Sequence, residues 1–136
     1  MKLVKYLFIS LMVSSINISC SAQTDKKNDN TRISNAGKVE VYYFHYTRRC
    51  ITCKSVENVS REAVADLYGD KVVFNDFNLE EEKGKQKGKQ LGVSGQSLLI
   101  VSGDTRINIT NEGFMNARSN PDKLKQIIKE KIDPLL

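Results

Sequence analysis

Cys50 and Cys53, three positions apart, are the residues of this chain best suited to do chemistry; they stand in the run Arg48-Arg49-Cys50-Ile51-Thr52-Cys53-Lys54. If Ile51 and Thr52 are wrapped into the first turn of a helix, the two sulfurs come within disulfide distance. The first sulfur then lies at the helix N-terminus, where unpaired backbone N–H groups and the helix dipole favour an anion. Arg48, Arg49 and Lys54 push Cys50 in the same direction. A thiolate at Cys50 can attack a disulfide, and Cys53, one turn further on and more buried, can resolve the mixed disulfide. The same pair also fits a static structural disulfide, or the capture of copper(I) or trivalent arsenic. His45, five residues before Cys50, is then a third ligand or a proton shuttle, or else a packed neighbour of the aromatic residues around it. With three cysteines and one histidine in all, a self-contained four-ligand zinc site is disfavoured.

The elements around this run alternate. Val39 to Tyr46 (VEVYYFHY) is β-branched and aromatic and reads as a mostly buried strand. Cys53, Val56, Val59, Ala63 and Leu67 form a helical stripe, stopped by Gly69. Lys71 to Leu79 reads as a second strand, and Glu80 to Leu91, charged and holding two glycines, as a weak helix ended by Gly92. Ser97 to Val101 and Thr105 to Thr110 flank Ser102-Gly103-Asp104 as a hairpin. Asn120-Pro121 opens a terminal helix with Leu124, Ile127, Ile128, Ile132 and Leu135 on one face. The predicted order is β-α-β-α-β-β-α: an α/β three-layer sandwich with a central mixed four-stranded sheet, helices on both faces and the cysteine pair at a strand-to-helix junction.

Residues 38–136 resemble the thioredoxin-fold superfamily. YYFHYTRRCITCKSVE is similar to its strand-loop-CxxC-helix segment, and GVSGQSLLIVSGD to the segment entering its third core strand. Within the superfamily the chain is similar to small exported bacterial proteins grouped as a nitrophenyl-compound nitroreductase subunit, or arsenic-cluster, family. The resemblance implies a thiol–disulfide oxidoreductase with Cys50 and Cys53 as catalytic pair, Gln96 and Ser97 as the facing loop, and no organic cofactor; the alternatives are the thiol-based metal or metalloid carrier and a non-catalytic subunit that uses the fold as an interaction surface. It also marks departures. Arg49 stands where tryptophan is usual, Phe44 at the position of a buried acid, and Ser97 at that of a cis-proline. The Gln96–Ser97 bond is expected to be trans, because a non-proline cis bond costs about 3 kcal/mol.

The remaining chain reads as an address. Residues 1–22 have a basic start (Lys2, Lys5), the apolar run Leu7 to Val13 and a small polar end, which is the layout of a secretory signal. Ile18-Ser19-Cys20 resembles a lipoprotein signal end, with Asn17 where an aliphatic residue is usual; cleavage after Ala22 is the alternative. The expected product is periplasmic, or held at a bacterial membrane only by lipid on Cys20. Residues 23–37 read as a polar tether. Without Lys2 and Lys5 the net charge falls from +5 to +3, too small an excess to suggest nucleic acid as a partner. With 40% hydrophobic and 27% charged residues, 136 residues suit one globular domain. The expected partners of this monomer are exported protein or small-molecule disulfides and dithiols.

Overall fold

Strand β1 (Glu40–His45) is buried from Val41 onward, and hydrogen-bonds to a neighbour on each side. In the computed structural model, which describes residues 37–136, it is paired in parallel with β2 (Val73–Asn78) and antiparallel with β3 (Ser97–Ser102). A short β4 (Thr105–Asn108) pairs antiparallel with β3, so the sheet order is β2-β1-β3-β4. The leader, Cys20 and all of the tether up to residue 36 lie outside the described residues.

Period-two alternation along β1 and β3 supplies two cores. Val41, Tyr43, Leu98 and Ile100 face one side and pack with Val56, Ala63 and Val64 of α1 (Ile51–Tyr68) and with Leu124, Ile128 and Ile132 of α4 (Pro121–Ile132). Tyr42, Phe44 and Leu99 face the other, against Phe77, Leu79 and Leu91, where α2 (Glu82–Leu91) lies. The rings of Tyr42, Phe44 and Phe77 stack there with centroids 5.8–6.3 Å apart. The mixed α/β sandwich expected from the sequence is the architecture observed.

The two glycines that weaken α2 as a helix are what let it sit down on the chain before it. A Cβ on Gly84 would lie 1.8 Å from the carbonyl oxygen of Asn78, and one on Gly88 3.0 Å from Leu79 Cδ2. Gly92 ends the helix at φ +69°, in the left-handed region that glycine occupies without steric cost.

One element departs from the expected order. The fourth strand stops at Asn108, and a short helix α3 (Thr110–Asn116) follows before α4. The Asn108 side chain accepts hydrogen bonds from the Thr110 N–H (3.0 Å) and hydroxyl (2.6 Å), and Thr110 Oγ1 accepts from Leu98 N–H at 2.9 Å. This local side-chain turn ends the second arm of the hairpin at Asn108, two residues before the expected Thr110. At α4 the Asn120 side chain caps Lys123 N–H at 3.2 Å, with Pro121 in the first turn, as the sequence indicated.

Candidate active site

Helix α1 begins at Ile51 with Cys50 as its N-cap, in extended conformation at φ −72° and ψ 168°. Serine, threonine and the Asx residues are favoured there because a side-chain acceptor can satisfy an orphan N–H of the first turn. Here sulfur does so: Cys50 Sγ accepts from Cys53 N–H at 3.2 Å. No acidic residue stands in that first turn. The Cys50 thiol is held below its ordinary value, first by the Cys53 side chain and then by the Cys53 backbone N–H, with the Thr52 N–H adding and desolvation opposing. The two thiols are unlinked, Cys50 exposed and Cys53 buried.

Three anchors fix the turn that presents them. Tyr43 of β1, fully buried, donates through its hydroxyl to the Cys53 carbonyl at 2.9 Å. The loop before Cys50 is tied at Thr47, whose N–H donates to Glu80 at 2.8 Å and whose hydroxyl accepts from Asn78 at 2.9 Å. Across the site, the Tyr46 hydroxyl donates to Ser94 C=O at 3.3 Å.

The basic residues divide. Arg49 is bound to Glu57, so its guanidinium is committed to a carboxylate about two turns along α1 rather than left facing sulfur. Glu57 also accepts from Arg61 at 3.0 Å, Arg61 donates to Asp76 on β2 at 2.8 Å, and His45 Nε2 lies 3.9 Å from Asp76. Arg48 and Lys54 are exposed, as is Ile51, with Thr52 half-buried. None of Arg48, Arg49 and Lys54 is among the main causes that lower Cys50; the hydrogen bonds to its sulfur are.

His45 is 6% exposed, and its Nδ1 lies 3.0 Å from the Tyr46 carbonyl, an oxygen that can only accept, so Nδ1 carries the hydrogen. Its Nε2 side borders a cleft of about 360 Å³ shared with Thr47, Arg49, Asp76 and Lys83. Among the described residues no three His, Cys, Asp or Glu side chains converge as a metal cluster.

The facing loop also divides. Ser97 pairs with Phe44 in the sheet, and its hydroxyl turns back to Gly95 C=O at 3.0 Å. Gln96, one residue earlier, reaches the sulfur of Cys53: Oε1 lies 3.7 Å and Nε2 3.6 Å from Sγ. No peptide bond among the described residues is cis, so Gln96–Ser97 is trans as expected.

No family model matches the sequence, and no curated protein matches it. In structure the chain is similar to thioredoxin O2 from Arabidopsis thaliana in its oxidised state, with a TM-score of 0.51 at 19% identity over 69% of this chain and 75% of that one. The fold is thioredoxin-like. A malarial protein is also similar, with a TM-score of 0.47 at 16% identity over 69% of this chain and 97% of that one. In the thioredoxin-like frame the pair sits at the junction of β1 and α1, with the loop before β3 opposite. Phe44, at the position the resemblance gives to a buried acid, is a fully buried ring on the α2 side of the sheet.

Tyr43, Glu57 and Arg61 join the site without standing in the CxxC run itself. Two signals pointed to them. The alternation of β1 puts Tyr43 on the same face as Val41, toward α1, and Glu57 and Arg61 stand at i, i+4 on the helix that carries Cys53.

Proposed function

We propose that the chain is an exported thioredoxin-like thiol–disulfide oxidoreductase. The observation that carries this reading is the exposed Cys50 sulfur capping α1 at 3.2 Å from Cys53 N–H, with a second thiol buried one turn on. The Cys50 thiolate attacks one sulfur of a substrate disulfide. A mixed disulfide forms, and the other substrate sulfur leaves with the electron pair. Cys53 then attacks Cys50 Sγ, the intramolecular disulfide forms, and the second substrate thiol is released. The substrate is reduced by two electrons and the pair oxidised; the reverse sequence oxidises a dithiol.

Arg48, Ile51, Thr52, Lys54 and the loop at Gln96 and Ser97 form the surface that meets the substrate, a protein or small-molecule disulfide, with no organic cofactor and no nucleic acid. The protein acts as a monomer. Residues 1–22 direct export and residues 23–37 form a tether; lipid on Cys20 holds the domain at the membrane, or cleavage after Ala22 frees it into the periplasm. Its finer kinship is with the nitrophenyl-compound nitroreductase subunit, or arsenic-cluster, group that its sequence resembles.

The test is disulfide exchange by the reduced full chain with glutathione disulfide, alongside a titration of thiolate absorbance. The expected result is exchange lost in Cys50→Ser, a mixed disulfide trapped through Cys50 in Cys53→Ser, and Cys50 ionising below the free-cysteine value of about 8.5. No exchange together with an ordinary or raised Cys50 ionisation overturns the reading.

A further inference from the structure

Cys53 is 4% exposed, and a buried thiol that must become a nucleophile needs a polar partner for its charged form. The groups around it are few. On its own helix it faces Cys50, and from β1 the hydroxyl of Tyr43, which is already donated to the Cys53 carbonyl. The nearby charges, Arg49 and Glu57, neutralise each other, and His45 stands beyond the Tyr43 ring at 5.9 Å between centroids. Phe44 offers no carboxylate. What reaches the sulfur is the Gln96 amide, whose oxygen and nitrogen straddle Sγ at nearly equal distances of 3.7 and 3.6 Å.

We infer that Gln96 is the positioning residue of the resolving cysteine. Once Cys50 is held in the mixed disulfide and no longer takes the Cys53 hydrogen, Oε1 accepts from the Cys53 thiol and Nε2–H donates to the thiolate, so the sulfur keeps a partner in both protonation states without a second charged group beside it. This rests on the proposed redox function and concerns its second step. There the Cys53 thiol gives its proton to solvent, Cys53 Sγ bonds to Cys50 Sγ, and the bond from Cys50 to the substrate sulfur breaks, with the substrate thiolate leaving. An amide does not take the proton. It lowers the cost of the anion by donation and aims the sulfur at Cys50.

The backbone explains why this residue does it. Gln96 lies in the bend one position before the Phe44–Ser97 pair that opens β3, and its amide is on the side of the sheet where Leu98 packs under α1. Ser97 belongs to the opposite face, so its hydroxyl has no line to the sulfur.

Two measurements on the full chain carrying Cys20→Ser test this, and they separate failure of the contact from failure of the function. The first does not use turnover: the Gln96 side-chain amide resonance is followed by NMR as the pair is taken from dithiol to disulfide, and again in Cys53→Ala. It is expected to shift in both; a signal that stays put overturns the proposal, whether or not the protein exchanges disulfides. The second loads Cys50 with thionitrobenzoate as a mixed disulfide and times release of the coloured thiol. Gln96→Met, which keeps the length and removes the amide, is expected to slow release about tenfold. Gln96→Glu, which sets a like charge against the forming thiolate, is expected to move the release profile upward by about one pH unit. Gln96→Met and Gln96→Glu releasing at the parent rate and with the parent profile overturn it.

Discussion

The hydroxyl of Tyr43 donates a 2.9 Å hydrogen bond to the carbonyl of Cys53, tying the first turn of the site helix to the central strand. Burial, and after it the negative charge available to Cys53 and Glu57, raises the ionisation of this phenol, so it remains a neutral donor. Tyr43→Phe removes the donor and leaves only the carbonyl to be satisfied within the helix. The expected cost is about 1 kcal/mol, read as a lower denaturant midpoint with the slope unchanged.

Cys50 carries a pH signature with a definite sign. Its folded-state value is lowered, chiefly by the Cys53 side chain and then by the Cys53 N–H. A lowered acid stabilises the fold fully above its unfolded value, about 8.5, and that contribution is lost as pH falls through the folded value. The reduced protein is therefore expected to gain denaturant resistance as pH rises toward that window, and Cys50→Ser to lose this part of the slope. Cys53→Ala, which removes the largest cause, is expected to move the Cys50 thiolate absorbance to higher pH.

Gly84 reverses an ordinary rule. Alanine for glycine inside an exposed helix gains about 1 kcal/mol. At Gly84 the new methyl would meet the Asn78 carbonyl at 1.8 Å. Gly84→Ala is expected to cost about 3 kcal/mol, as overpacking against rigid backbone does, with the melting temperature as the readout.

Ser60 is fully buried in α1, and its hydroxyl has no hydrogen-bond partner among the described residues. Removing an unsatisfied buried hydroxyl relieves its desolvation cost. Ser60→Ala is expected to raise stability by about 1 kcal/mol; a melting temperature below that of the parent would contradict this account.

Asp76 is held below the usual carboxylate range by the Arg61 hydrogen bond, then by the charges of Arg61, His45 and Arg49. A depressed carboxyl contributes above its unfolded value, about 3.9, and its contribution is lost as pH falls through the folded value. Acid unfolding followed by circular dichroism is expected to steepen below that point, and Asp76→Asn to flatten this limb.

The fold was readable in the sequence because a β-branched and aromatic strand run at Val39 to Tyr46 is followed by a helical stripe from Cys53 to Leu67. The terminal helix announced itself through Asn120 and Pro121. What the sequence hid came from side chains acting locally or across long separations. Asn108 and Thr110 turn the chain by their own hydrogen bonds, and no hydrophobic period records that. The Cys50–Cys53 spacing pointed to the helix cap, but nothing in the basic run records that Arg49 pairs with Glu57, eight residues on. The Gln96 contact with Cys53 spans forty-three positions and depends on how the bend before β3 turns its side chain, which no local pattern records.

The position of β1 inside the sheet also sets how the domain opens. The strand leading to Cys50 is bonded on both sides and covered on both faces, whereas β4 is a four-residue rim with mostly exposed side chains. Among the described strands, amide exchange and protease nicking are therefore expected at the β4 rim before β1, whose amides are expected to open only with the domain as a whole. Fraying at the far edge can come and go while the two thiols stay in register.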